Sequence, residues 1–256
     1  TVNNTMVQSR QVVIKGGTLV FAEESRVQSA KGSIKIAAEN LTLKSGSRFE
    51  GRNGNSIDIQ VDDTVRVADE GSAIETVNVV APLGSGHITI AAGDILVEDH
   101  AEISAQAKVD SDAPGPGNIE LQALNTISVN HNARVFSTRT GNPDSAGGGN
   151  ISLDSAALSI VGGLITSQTF DQSHKAGDIT VKAKDSITID SSNPGGANPL
   201  GLVIDFTDAP SLFMSGILST SGIDSLDKSR DALGATGNVM LKTDGSLTIR
   251  GHDRLQ

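Results

Sequence analysis

Gly177-Asp178-Ile179-Thr180-Val181-Lys182-Ala183-Lys184-Asp185-Ser186-Ile187-Thr188-Ile189 is the stretch on which the reading of this chain turns. Two alternating aliphatic pairs, Ile179/Val181 and Ile187/Ile189, flank a short polar run. A period of two over three to five residues means strands with one buried face. Its opening recurs as Gly32-Ser33-Ile34-Lys35-Ile36, Gly86-His87-Ile88-Thr89-Ile90, Gly117-Asn118-Ile119-Glu120-Leu121, Gly149-Asn150-Ile151-Ser152-Leu153 and Gly237-Asn238-Val239-Met240-Leu241. Self-similarity at this period reads as a solenoid whose repeat is a building unit.

Aligning the copies gives three inward lines. First strands start at Val12, Ile34, Ile57, Ile88, Ile119, Ile151, Ile179 and Val239. Second pairs follow at Leu19/Phe21, Leu41/Leu43, Val65/Val67, Ile95/Val97, Ile127/Val129, Leu158/Ile160, Ile187/Ile189 and Leu247/Ile249. A single third position lies at Val27, Phe49, Ile74, Ile103, Val135 and Ile165. The shortest spacings, Val12 to Ile34 and Ile34 to Ile57, are 22 and 23 residues. Longer ones lengthen one corner, as in 108–116 and 140–148, where Gly, Pro, Asn and Asp mark surface turns. Helix competes poorly, because apolar residues do not recur at helical spacing.

The expectation is an all-β, right-handed parallel β-helix of about eight coils with three short strands each. It forms a single domain over 1–256, read as a fragment of a longer fibre, with loop insertions at one corner. Two segments, 190–214 and 221–236, are insertions that flank a further third-strand copy, Ser215-Gly216-Ile217-Leu218-Ser219-Thr220.

Composition narrows function. A net charge of −10 leaves no basic stripe for phosphates, which argues against nucleic acid. With no cysteine there are no disulfides, thiolate metal sites or cysteine nucleophiles. No apolar run reaches the roughly 18 residues of a membrane-crossing helix, and Thr1 to Arg10 lacks a signal-peptide layout.

The succession Gly-Asn-Ile-x-Leu/Ile, Asp-x-Ile-x-Ile, Gly/Ala-x-Ile-Ser/Thr-Ser/Thr resembles the repeats of filamentous-haemagglutinin-like exoproteins of bacterial two-partner secretion. Residues 177–189 and 86–107 carry it best, and it extends over 12–250. The resemblance implies a secreted module on the cell surface of a Gram-negative-type bacterium, a rigid shaft presenting loops for adhesion or biofilm formation. Partners would be a cell-surface glycan or protein, with an outer-membrane transporter during secretion. Neither catalysis nor a cofactor is expected. The family's Asn-Pro-Asn-Leu-type secretion motif is missing here.

The alternative is a β-helical polysaccharide lyase or hydrolase, or a glycan-binding module. Such an enzyme needs clustered carboxylates on one sheet. Asp62-Asp63, Asp185 and Asp244 fall at corner positions where backbone hydrogen bonding alone explains Asp, and the lack of Trp and Tyr weighs against a sugar cleft. Of the histidines His87, His100, His131, His174 and His252, only His131 gains a partner, since aligning Ala101 with Ala133 sets it beside Asp99 in an exposed ion pair. Ser104, Ser137, Thr166, Ser167, Ser219 and Thr220 read as hydroxyl ladders rather than nucleophiles. Gly147-Gly148-Gly149 has neither the helix nor the Lys-Ser/Thr of a phosphate loop. The best-placed binding candidates are Leu200, Leu202, Ile204, Phe206 and Phe213, in an insertion too apolar for a plain solvated loop.

Overall fold

The computed structural model describes residues 1–78, 84–107, 115–139, 147–169, 175–191, 216–221 and 236–250. Among them every regular element is a β-strand and every strand pairing is parallel. The larger sheet has 13 strands. These are β1 (Val2–Asn3), β3 (Val12–Ala22), β5 (Ile34–Leu43), β7 (Ile57–Val61), β8 (Thr64–Val67), β10 (Ile88–Ala92) and β11 (Asp94–Val97). They continue with β13 (Ile119–Ala123), β14 (Thr126–Asn130), β16 (Ile151–Val161), β18 (Ile179–Asp190), β20 (Val239–Thr243) and β21 (Ser246–Arg250). The second sheet has eight: β2 (Met6–Ser9), β4 (Arg26–Ser29), β6 (Arg48–Arg52), β9 (Ala73–Asn78), β12 (Glu102–Ala107), β15 (Arg134–Arg139), β17 (Leu164–Thr169) and β19 (Gly216–Ser221).

The expected right-handed β-helix, a solenoid of three short strands per coil, is corrected by this topology. Pairing in the larger sheet runs β5–β7–β10–β13–β16–β14–β11–β8 and returns to β5, a closed eight-strand parallel barrel with five further strands attached. The second sheet is open and flat. The physical cause lies in strand length. The sequence places a turn between the first and second aliphatic pairs, yet β5 and β16 stay extended through it, at 10 and 11 residues. Each therefore pairs with two successive partners, β5 with β7 and β8, β16 with β13 and β14, and these double pairings close the ring.

Within the sheets, equivalent positions pair strand by strand. Val12, Ile34, Ile57, Ile88, Ile119, Ile151, Ile179 and Val239 form one line of Cα partners. Phe21, Leu43, Val67, Val97, Val129, Ile160, Ile189 and Ile249 lie along a second. Val27, Phe49, Ile74, Ile103, Val135, Ile165 and Ile217 form a third, in the open sheet. Residues of all three lines meet in one apolar core, where Phe21 and Phe49 pack edge to face at 4.9 Å. Each buried Ile or Leu contributes about 1.5–3 kcal/mol, so the framework rests on many small equal terms. No helix among the described residues is long and apolar enough to cross a membrane.

Candidate functional site

Three polar features run across the strands, and the first is internal. Thr76, Ala105, Ser137, Ser167 and Ser219 occupy one register line in the open sheet. Ser137, Ser167 and Ser219 donate to the carbonyls of Gly117, Gly149 and Gly177 at 3.2, 2.9 and 3.0 Å. Ala105 has no hydroxyl to offer Gly86, and Thr76 donates to that carbonyl instead, at 2.7 Å. These hydroxyls are buried and satisfied, so none is poised as a nucleophile. The expected ladder is thus real in part and different in kind. Ser104 and Thr166 belong to the neighbouring register position, and the bonds go to glycine carbonyls rather than between hydroxyls. The side chain of Thr220 lies outside the described set.

The second feature is a corner file one residue before each first strand. His87 N–H donates to Ser56 Oγ (3.2 Å), and Asn118 N–H to His87 Nδ1 (2.9 Å). Next, Asn150 N–H donates to Asn118 Oδ1 (2.9 Å) and Asp178 N–H to Asn150 Oδ1 (2.8 Å). Asn238 N–H closes the file on Asp178 Oδ1 at 2.7 Å. Asp178 also accepts from Lys175 Nζ at 2.8 Å, and that bond, with the Asn238 amide, holds its carboxyl below the usual carboxylate range. Sequence reasoning missed this file. The signal was present as the Ser, His, Asn or Asp that precedes each first-strand aliphatic.

At the opposite corner Asp99, His100, His131 and Asn132 all have positive φ. The pair read from the alignment of Ala101 with Ala133 is present: His131 Nδ1 lies 3.2 Å from Asp99 Oδ1, with both side chains about half exposed. His100 Nε2 and Asn132 Nδ2 are 3.3 Å apart. Beside them a cavity of about 290 Å3 is lined by Arg48, Glu70, Glu102 and Arg134 among others. Its arginines are already engaged, Arg48 with Glu75 at 3.2 Å and Arg134 with Glu102.

The third feature lies where each first strand bends toward the second. Gln60, Ala91, Gln122, Asp154, Lys182 and Lys242 are register partners on the outer surface of β7, β10, β13, β16, β18 and β20. Two indentations follow this line, one of about 540 Å3 and one of about 180 Å3, and Asp154 lines both.

The corner acids do not come together as a metal site: among the described residues no group of three His, Asp or Glu could hold an ion. Asp62 lines the larger indentation and Asp244 the smaller. His174, His252 and the apolar candidates Leu200, Leu202, Ile204, Phe206 and Phe213 lie outside the described residues, as does most of both insertions. No family model, no curated protein and no solved structure matches this chain.

Proposed function

We propose that this chain is a non-catalytic structural module of adhesin type, secreted to or displayed on the surface of a Gram-negative-type bacterium, as the resemblance to filamentous-haemagglutinin-like exoproteins implies. The observation that carries the reading is how the recurrent polar side chains are used. The corner file binds backbone amides of the neighbouring strand, and the buried hydroxyls bind glycine carbonyls. The polar side chains of these two lines thus go into holding the framework. Framework positions recur while the connections between them change length, as in 108–116 and 140–148, and binding resides where a fixed scaffold carries variable segments.

Labelling intact and permeabilised cells of the source bacterium with an antibody to the purified protein tests the location. Equal labelling is expected, and labelling only after permeabilisation overturns it. Incubating the protein with a panel of polysaccharides tests the absence of catalysis. Release of reducing or unsaturated ends would overturn that part.

A further inference from the structure

We propose that the line of bends across the larger sheet is a binding groove for a linear glycan bearing carboxylates. The proposal rests on the surface-module reading only for where the ligand would be met.

The geometry comes first. Six strands at about 4.8 Å spacing give the line a length of about 24 Å. Its floor is made of small side chains, Val61, Ala92, Ala123 and Ala183, buried to 3–9 % and one residue beyond the outward line. Larger groups rise from the far side: Asp62, Leu124, Lys184 and Asp244. The two indentations adjoin at Asp154, which lines both, and their residues follow one register line, so together they outline an elongated surface rather than a pocket for one small molecule.

Charge separates the groove into two parts. Gln60, Asp62, Gln122 and Asp154 face the larger indentation. Lys182, Lys184 and Lys242 converge on the smaller. Six other cations sit with carboxylates: Arg48 with Glu75, Arg52 with Glu50, Arg66 with Glu98, Arg134 with Glu102, Lys175 with Asp178 and Arg250 with Asp190. Arg10, Lys15, Arg26, Lys31, Lys35 and Lys44 have no such partner among the described residues, but none of them lines either indentation. None of the three groove lysines is in an ion pair with a described residue. In a chain of net charge −10, a hollow lined by three lysines against two carboxylates, Asp154 and Asp244, keeps a net positive charge that fits an anionic ligand.

The direction of the groove selects its class. It crosses the strands, and β7, β10, β13, β16 and β18 are each paired on both sides; of the six strands along it only the terminal β20 has an edge unpaired among the described residues, where an added peptide strand would lie along β20 and not along the groove. A linear glycan instead presents the same hydroxyls at every ring, matching a surface that offers equivalent positions at every strand. Amides at Gln60 and Gln122 donate and accept, Asp62 and Asp154 accept, and the 79 % exposed Leu124 meets a ring's C–H face. Carboxylates on the chain go to the lysines. With no Trp or Tyr for stacking, charge carries the affinity, which makes binding salt-sensitive.

The test is titration calorimetry with alginate oligomers, a linear polyuronate, against neutral dextran and poly-L-glutamate of similar length. Alginate is expected to bind and dextran not. Combining Lys182→Gln, Lys184→Gln and Lys242→Gln, all exposed positions, should weaken alginate about tenfold or more with the melting temperature unchanged. Absence of alginate binding overturns the proposal, as does unchanged binding by the triple variant. Poly-L-glutamate binding as tightly as alginate, with the same loss in the variant, overturns the glycan assignment in favour of an acidic polypeptide. Shortening of the alginate during the titration would instead sink the non-catalytic reading and leave the groove standing.

Discussion

Two polar files run in parallel over the same strands, and they differ in what their side chains have left to give. In the corner file from Ser56 to Asn238, five successive backbone amides donate to the preceding side chain at 2.7–3.2 Å. In the bend file from Gln60 to Lys242, Gln122 bonds only to its strand neighbour Glu120, at 2.6 Å, and the lysines have no acidic partner among the described residues. The files lie only a few residues apart along each strand. Recurrence alone therefore does not tell a scaffold from a surface; the destination of the hydrogen bonds does.

Both files hang on the aliphatic line between them, and the harshest way to break the comparison is to cut that line. Ile119→Asp places a carboxylate where the side chain is fully buried, with no cation beside it in the apolar core. A loss of about 4 kcal/mol or more is expected, read as failure to give a cooperative melt. A smaller cut attacks the hydroxyl line. A methyl group at Gly149 would run into the Gly117 carbonyl and come within 2.5 Å of Ser137 Oγ. Gly149→Ala should cost about 2–3 kcal/mol by chemical denaturation.

The comparison itself is sharpened by matched substitutions. Asn150→Ala removes the acceptor for the Asp178 amide and should cost about 1 kcal/mol in a denaturant midpoint series. Gln122→Ala, one file over, should stay within about 0.5 kcal/mol. Equal costs would erase the distinction between scaffold and surface.

Acid gives a weaker handle. The Asp178 carboxyl is held below its unfolded value by Lys175 and the Asn238 amide. Its contribution is therefore present above the unfolded value of about 3.9 and is lost as pH falls through the depressed folded value. Because the side chain is 44 % exposed, the effect is small. Asp178→Asn should lower the melting temperature slightly at neutral pH and flatten the acid limb, the two proteins converging at low pH. Steeper acid destabilisation in the variant would contradict the assignment.

The aliphatic lines were legible because alternation survives in each copy, and registering Ala101 on Ala133 was enough to find the Asp99–His131 pair. Ring closure was not legible. Ala37-Ala38-Glu39-Asn40 has the polarity of a turn, yet its backbone stays in β5, whereas Asp62-Asp63 does interrupt β7 and β8. The difference is one of backbone path, which alternation of side chains does not encode. The corner file was visible as residue types but not as bonds, since each bond joins residues 28 to 60 positions apart. The groove was invisible for another reason. It is defined by small side chains, and alanine in a strand carries no functional signature.

The glycines at 86, 117, 149, 177 and 237 have a consequence for how such a chain can change. At each, a Cβ would collide with the carbonyl of the preceding copy's Gly or Asn. The seam acts as a phase mark: segments can be duplicated, exchanged or trimmed without penalty only when glycine again meets that carbonyl. A cassette cut at 86 and 117 is interchangeable, and the same cassette displaced by one residue drives a branched or polar side chain into main-chain oxygen. Lengthening by recombination is thereby quantised in whole copies.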